Sequence, residues 1–297
     1  SYPDQMDTTP NDNGEELSQQ GLEALLRLIV ESERRRVTSV EVDGRTVWIK
    51  RYGVEARSFP KWLHRAISPL LPQPFLRSSP ATSAAALAER EIRKAAAFHA
   101  AGFPVVTILY GQGDIIAMSD AGTIVQQELN RLKHSDLERH DDMLVGCAAA
   151  VGRIHAAGLC HGRPHPRDML IKGRRFGFLD FEEEPETSMP MATAQARDVW
   201  LLFLQISGQA IDPGTPVRAF AAYRKEAPAA VLREVRSIVA FFSLFSPFLR
   251  ASRRFLGRDG QRLLAGTSFL KSALSTGEGS YSTMPAATGE LRNSNHD

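Results

Sequence analysis

The sequence predicts an α+β molecule of two lobes, a small antiparallel-sheet lobe followed by a mainly helical one. Three observations point there. Residues 37–42 alternate apolar and polar, Asp43-Gly44 interrupts them, and residues 46–50 resume as a strand. An Asp-Gly pair between two such runs is a strong hairpin signal, because the tightest two-residue turns need positive φ at both central positions. After a helical stretch at 83–101, residues 105–110 and 115–118 form a second strand pair around a turn at 111–114. From Ser135 onward the apolar spacing changes from the period of a strand to that of a helix.

The helical stretch at 83–101 places Leu87, Glu91, Ala95 and Phe98 on one face, and Gly102 followed by Pro104 stops it. A glutamate therefore points where apolar residues point. In the second half, Ser135 and Glu138 read as a capping box. Leu144, Cys147, Ala148, Val151, Ile154 and His155 then recur at helical spacing until Gly158. Further helical segments are expected at about 195–208, 216–226, 229–246 and 260–273. The domain reading is a disordered tail at 1–20, an N-lobe at 21–118 with a basic-apolar insertion at 56–80, a helical C-lobe at 119–274 and a second disordered tail at 275–297. A hinge is expected near residues 119–122.

Of the 297 residues, 36 are basic and 34 acidic, so the formal charge is only +2, while 43% are apolar. That balance argues against a protein that holds nucleic acid through a global basic field, and no nucleic-acid partner is expected. Two cysteines, Cys147 and Cys160, are too few for a disulfide framework. No basic-then-apolar leader opens the chain, and the uncharged run at 237–249 is too short to span a bilayer.

The chemistry is concentrated in residues 154–182. A capped helix runs into the polar loop His161-Gly162-Arg163-Pro164-His165-Pro166-Arg167-Asp168, a short apolar strand Met169-Leu170-Ile171, a Lys172-Gly173 turn, and a strand ending in Leu179-Asp180-Phe181-Glu182. This block resembles the catalytic-loop and metal-loop hairpin of the protein-kinase-like superfamily. Within it the chain looks most like the bacterial lipopolysaccharide kinase family, the Kdo/heptose kinases and InaA-type relatives, which are related to the RIO and aminoglycoside-phosphotransferase kinases. The likeness spans most of residues 37–210. It implies a two-lobed kinase-like fold, ATP and Mg²⁺ as cofactors, and transfer of a phosphoryl group to a hydroxyl acceptor. Such transfer asks of a protein mainly a cationic clamp, a divalent metal and an oriented acceptor.

On that resemblance, Lys50 at the end of Val47-Trp48-Ile49-Lys50 would clamp nucleotide phosphate, although a lysine at a strand end is ordinarily only solvated. Glu91 would pair with Lys50, since an unpaired carboxylate on an apolar face is costly to bury; Glu89 is the alternative. Asp180 matches the metal-binding aspartate, with Glu182 in place of the usual glycine. Asp168 falls where the loop asparagine would hold a second metal ion. Arg163 stands where the catalytic aspartate belongs, and a guanidinium cannot accept a proton. Three outcomes are open: Arg163 and either Asp168 or His165 face phosphate and acceptor in an atypical kinase of a glycolipid or of protein Ser/Thr, the chain is a pseudokinase that binds nucleotide without turnover, or the loop serves another transfer chemistry. The resemblance also implies that His161 packs on the lobe and that Asp198 ties the loop backbone. The chain departs from protein kinases in having no G-x-G-x-x-G before Lys50, only Gly44. A zinc site at Cys160, His161 and His165 lacks a fourth ligand and matches no zinc spacing.

Two stretches free of Asp and Glu, 56–88 and 235–258, interleave arginines with large apolar residues. They suit an anionic membrane surface or a phosphorylated glycolipid, unless the apolar residues are simply core. The resemblance makes an envelope glycolipid or other hydroxyl compound the acceptor. It sets the protein in the cytoplasm, peripheral to the inner face of the cytoplasmic membrane.

Overall fold

The computed structural model describes residues 16–31, 35–54, 83–244 and 258–276. The insertion at 56–80, most of both expected tails, and 245–257 of the second basic-apolar stretch lie outside the described residues.

Helix α1 (Gln19–Glu31) opens the described chain, starting inside the stretch that composition reads as a tail. Ser18 caps it, its hydroxyl accepting the Gly21 N–H at 2.9 Å while its own N–H and hydroxyl donate to Asp43. Strands β1 (Val37–Val42) and β2 (Arg45–Arg51) form the expected hairpin in full register, Val42 opposite Arg45 and Val37 opposite Lys50. Asp43 and Gly44 have φ of 51° and 71°, which is the backbone a two-residue turn of this hand demands. With β3 (Ile108–Gln112) and β4 (Ile115–Ser119) they make a four-stranded antiparallel sheet of order β1-β2-β4-β3.

Alternation along β2 divides its side chains between two faces. Val47 and Ile49 join Val42 and Ala117 in a cluster closed by Leu25 of α1. Trp48 and Lys50 point the other way, toward the space between the lobes. Helix α2 (Ala84–Ala100) covers the rest of that face, with Ala88 packed among Tyr52, Ile116 and Met118. It begins at Ser83, whose hydroxyl accepts the Ala86 N–H, and ends at Gly102 with φ 84°. There Gly102 N–H reaches His99 O and Phe103 N–H reaches Phe98 O, the paired bonds that satisfy a helix C-terminus. Gly158 ends its own helix in the same way.

The helical lobe follows a short strand β5 (Thr123–Ile124) and helix α3 (Val125–Leu132). Helix α4 (Leu137–Ala156) is capped by Asp136, whose carboxylate accepts the Arg139 N–H at 3.1 Å. The capping box read at Ser135 is therefore displaced by one residue, because the Ser135 hydroxyl instead donates to Arg131 O. Strands β6 (Met169–Lys172) and β7 (Arg175–Phe178) complete a second sheet of order β5-β6-β7. Helices α5 (Met191–Gln209), α6 (Thr215–Glu226), α7 (Ala229–Ser243) and α8 (Arg258–Thr276) pack with α4 around the main core. The result is the two-lobed α+β architecture that the sequence predicts. Among the described residues no helix is long and apolar enough to cross a membrane.

The two lobes are joined along the 103–106 segment as well as through residues 119–124. Phe178 N–H donates to Pro104 O at 2.9 Å, so the chain leaving α2 is stitched to β7 of the other sheet. Gly177 permits this approach: a Cβ there would lie 2.3 Å from Pro104 O.

Candidate active site

The groups singled out from the sequence meet where β2, α2 and the β6–β7 hairpin converge. Lys50 is buried, and its Nζ lies 2.7 Å from Glu91 Oε2 and 2.6 Å from Asp180 Oδ1. Glu91, not the exposed Glu89, is thus its partner on α2. Glu91 is held from a second side by the Tyr52 hydroxyl, which donates to the same oxygen. Lys50 also has Glu182 Oε1 at 3.0 Å. Burial works against the lysine's charge, but Glu91 and Asp180 outweigh it and hold its pKa well above the ordinary value. Burial, with Glu91 adding to it, pushes the Tyr52 hydroxyl up, so it remains a donor.

Asp180 sits at φ 65°, a left-handed conformation uncommon for any residue but glycine and tolerated best by Asp and Asn. That turn follows β7 directly and carries the carboxylate onto Lys50. Burial would raise its pKa; the charge and hydrogen bond of Lys50 override burial and hold it at about 2. Asp168 ends a short 3₁₀ turn (Pro166–Asp168) and is buried. Its N–H donates to His165 O and its own carbonyl accepts Leu179 N–H at 3.0 Å, which fixes it beside the strand that delivers Asp180. Burial first, then the negative charge of Asp180, push Asp168 up to about 7.

The loop preceding Asp168 is held from below by Asp198 of α5, which is completely buried. Its two oxygens accept the backbone N–H groups of His161 at 2.8 Å and Gly162 at 2.9 Å, and His155 Nε2 lies 3.3 Å away. The backbone-tying place that the resemblance implies for Asp198 is therefore the one it takes. His161 donates from Nε2 to Leu179 O at 3.0 Å and packs against Phe178 and Phe181. Burial lowers its pKa, so the ring is neutral and architectural.

Arg163 and His165, which the resemblance sets toward phosphate and acceptor, lie outside the lining of the inter-lobe cleft. A cleft of about 560 Å³ lies between the lobes, bounded by Lys50, Glu91, Asp168, Asp180 and Glu182, and neither Arg163 nor His165 lines it. His165 Nδ1 accepts Arg167 N–H at 3.0 Å, so the ring serves the local turn, and Gln205 of α5 and Arg262 of α8 are among its neighbours. Burial, then Arg167 and Arg262, push its pKa down to about 4. Arg163 acts on the site at a distance: its charge favours the ionised forms of both Asp168 and Asp180. The arginines that do line the cleft are Arg167 and Arg36, neither of which the sequence singles out for the site.

An apolar wall completes the cleft. Trp48, Met118 and Leu179 line it, and Trp48 Nε1 donates to Asp120 in the inter-lobe linker at 2.7 Å. The volume is in the ordinary range for small-ligand pockets. On its C-lobe side the site has the carboxylates of Asp168 and Asp180, with Glu182 drawn to Lys50 and Arg36. Burial first and the charge of Asp180 second raise Asp168, and a divalent cation between the two would relieve the repulsion. Among the described residues no group of three or more His, Cys, Asp or Glu is placed to hold a metal ion by itself. Two carboxylates with the remaining positions left to water and phosphate is how Mg²⁺ is commonly bound. The zinc alternative does not assemble, since Cys160 is buried with its sulfur on Asp198 and His161 is committed to Leu179.

No family model matches the chain, and no curated protein matches it. Solved structures do. A Rio2 kinase complex with ADP, Mg²⁺ and phosphoaspartate from Chaetomium thermophilum is 16% identical, covering 86% of this chain and 78% of that one, at a TM-score of 0.40. A MAP kinase from Leishmania major is 14% identical, covering 87% and 89%, at 0.34.

Proposed function

We propose that the protein is an ATP-dependent phosphotransferase that moves a γ-phosphoryl group to an alcohol acceptor. The observation that carries this reading is the Lys50 junction: one buried cation joins Glu91 of the N-lobe helix to Asp180 of the C-lobe hairpin, with Asp168 beside it. Such a junction fixes a positive charge at the floor of a cleft whose other wall offers two oxygen ligands. Trp48, Met118 and Leu179 suit the planar base, and Lys50 suits the phosphates. Asp180 and Asp168 would hold Mg²⁺, which neutralises charge on the phosphate oxygens.

The bond from the γ-phosphorus to its bridging oxygen breaks as the acceptor oxygen bonds to phosphorus, leaving ADP. In a loose transition state the hydroxyl loses its proton late, to Asp168 or to water, so the arginine at position 163 does not forbid transfer. For the acceptor we propose a sugar hydroxyl of the lipopolysaccharide core or a related envelope molecule, on the resemblance of the 161–168 loop to the lipopolysaccharide kinases. The same resemblance and the basic-apolar composition of residues 56–80 support work beside an anionic membrane surface, whereas Val235, Ile238 and Val239 of the second stretch are buried in the core. A second reading, nucleotide binding without transfer, is favoured by Arg163 in the place of an acid.

The test is Mg²⁺-ATP binding and phosphate transfer with purified envelope glycolipid, and with a protein bearing Ser and Thr as an alternative acceptor. Transfer that disappears in Asp180→Ala supports the reading. Binding that is lost in Asp180→Ala, with no transfer by the unaltered protein, supports the second reading instead.

A further inference from the structure

A kinase-like cleft needs something to hold phosphate from the N-lobe side, and this chain has no glycine-rich loop to do it. Gly44, the only glycine between α1 and Lys50, sits in the turn at the far end of the hairpin. It lies six positions along the strand from Lys50, roughly 20 Å at the rise of an extended chain. It cannot reach a phosphate that Lys50 touches.

What stands beside Lys50 at the open end of the hairpin is Arg36, the residue before β1 and opposite Arg51. Its carbonyl accepts Arg51 N–H at 2.7 Å, which holds it across from the end of β2. Its guanidinium and Lys50 Nζ converge on one atom, Glu182 Oε1. Arg36 is half-exposed and lines the cleft together with Lys50 and Glu182. Two cations from adjacent strands closing on a single anionic oxygen is the recognition pattern of a phosphate oxygen. Lys50 meanwhile keeps its separate contacts with Glu91 and Asp180.

Resting on the nucleotide reading above, we propose that Arg36 and Lys50 form the anion subsite for a nucleotide phosphate, that Glu182 fills it in the ligand-free protein, and that binding exchanges the Glu182 carboxylate for a phosphate oxygen. Glu182 is thereby an internal competitor, and Arg36 replaces the missing loop. The two residues must then change phosphate affinity in opposite directions, whereas a merely structural ion pair would change it in the same direction or not at all.

The experiment is calorimetric titration of the full chain with ADP in the presence of a chelator, and with adenosine, for the unaltered protein, Glu182→Gln and Arg36→Gln. ADP is expected to bind about tenfold more tightly to E182Q and about tenfold more weakly to R36Q, with adenosine unchanged in both. Glu182→Asp, one methylene shorter, is expected to shift ADP in the same direction as E182Q and serves if E182Q does not fold. ADP affinity that is unchanged or weaker in the Glu182 variants overturns the proposal, as does an equal loss of adenosine and ADP in R36Q. If the unaltered protein binds neither compound, the nucleotide reading itself is at fault and the subsite falls with it.

Discussion

Asp168 and Asp198 are both buried acids of the C-lobe, yet their surroundings push them in opposite directions. Burial would raise Asp198, but the hydrogen bond and charge of His155 override it and hold its pKa low. Asp168 is raised to about 7 by burial and by Asp180. The consequences for stability have opposite signs. Between its unfolded value near 4 and about 7, Asp168 holds its proton more tightly folded than unfolded, so its contribution falls as pH rises through that window. Asp168→Asn is therefore expected to be more stable than the unaltered protein at pH 8, by about 1–3 kcal/mol, and so to melt higher, with the gain gone at pH 4. Thermal melts at the two pH values check this. Asp198→Ala strips the partner from two buried N–H groups and from His155, and denaturant titration should show a loss of about 3–5 kcal/mol. That Lys50, Glu91, Asp168 and Asp180 come together was legible in the sequence from the resemblance of the 161–182 block and from a glutamate on the apolar face of α2. Arg36 was not, because an arginine before a strand is ordinarily just solvated. The signal existed in the hairpin register: a two-residue turn at 43–44 sets 37 opposite 50 and so 36 opposite 51. Spacing puts Arg163 and His165 in the loop but does not say which of its side chains line the cleft, and these two do not.

At the scale of elements, α2 is fastened to the segment after β7 by more than the Lys50 junction. Arg90 donates to Glu182 O, Arg90 and Arg93 both reach Glu184, and Lys94 meets Glu186 at 3.0 Å while donating to His161 O and Glu183 O. The run of acids after Asp180 thus holds the helix that carries Glu91. Arg93 is largely exposed and Lys94 is buried, so the two should differ. Arg93→Ala is expected to cost under about 1 kcal/mol, whereas Lys94→Ala, which orphans two carbonyls and a carboxylate, is expected to cost about 2–4 kcal/mol in denaturant titration. Gly177→Ala would drive a methyl group into Pro104 O, and a loss of about 3 kcal/mol or more is expected by the same measurement. The elements of the sheet and the helix boundaries at Gly102 and Gly158 were readable from turn chemistry. Helix α1 was not read, although Leu22, Leu25, Leu26 and Ile29 recur at helical spacing, because the polar run before them has the composition of a tail. The acidic fastening was not readable, because it pairs residues about 90 positions apart.

For the molecule as a whole, a formal charge of +2 conceals a sharp local arrangement. Cations of the N-lobe and acids of the C-lobe meet along one seam, with the cleft at its end. The central claim is that this seam is a nucleotide site built on Lys50, Asp180 and Asp168. The most direct measurement is a calorimetric titration of the unaltered protein and Asp180→Ala with ATP, with and without Mg²⁺. The account predicts one ATP bound per chain, tighter with Mg²⁺ than without, and weakened tenfold or more by Asp180→Ala in the presence of Mg²⁺. No binding, or binding indifferent to both Mg²⁺ and Asp180, would contradict it.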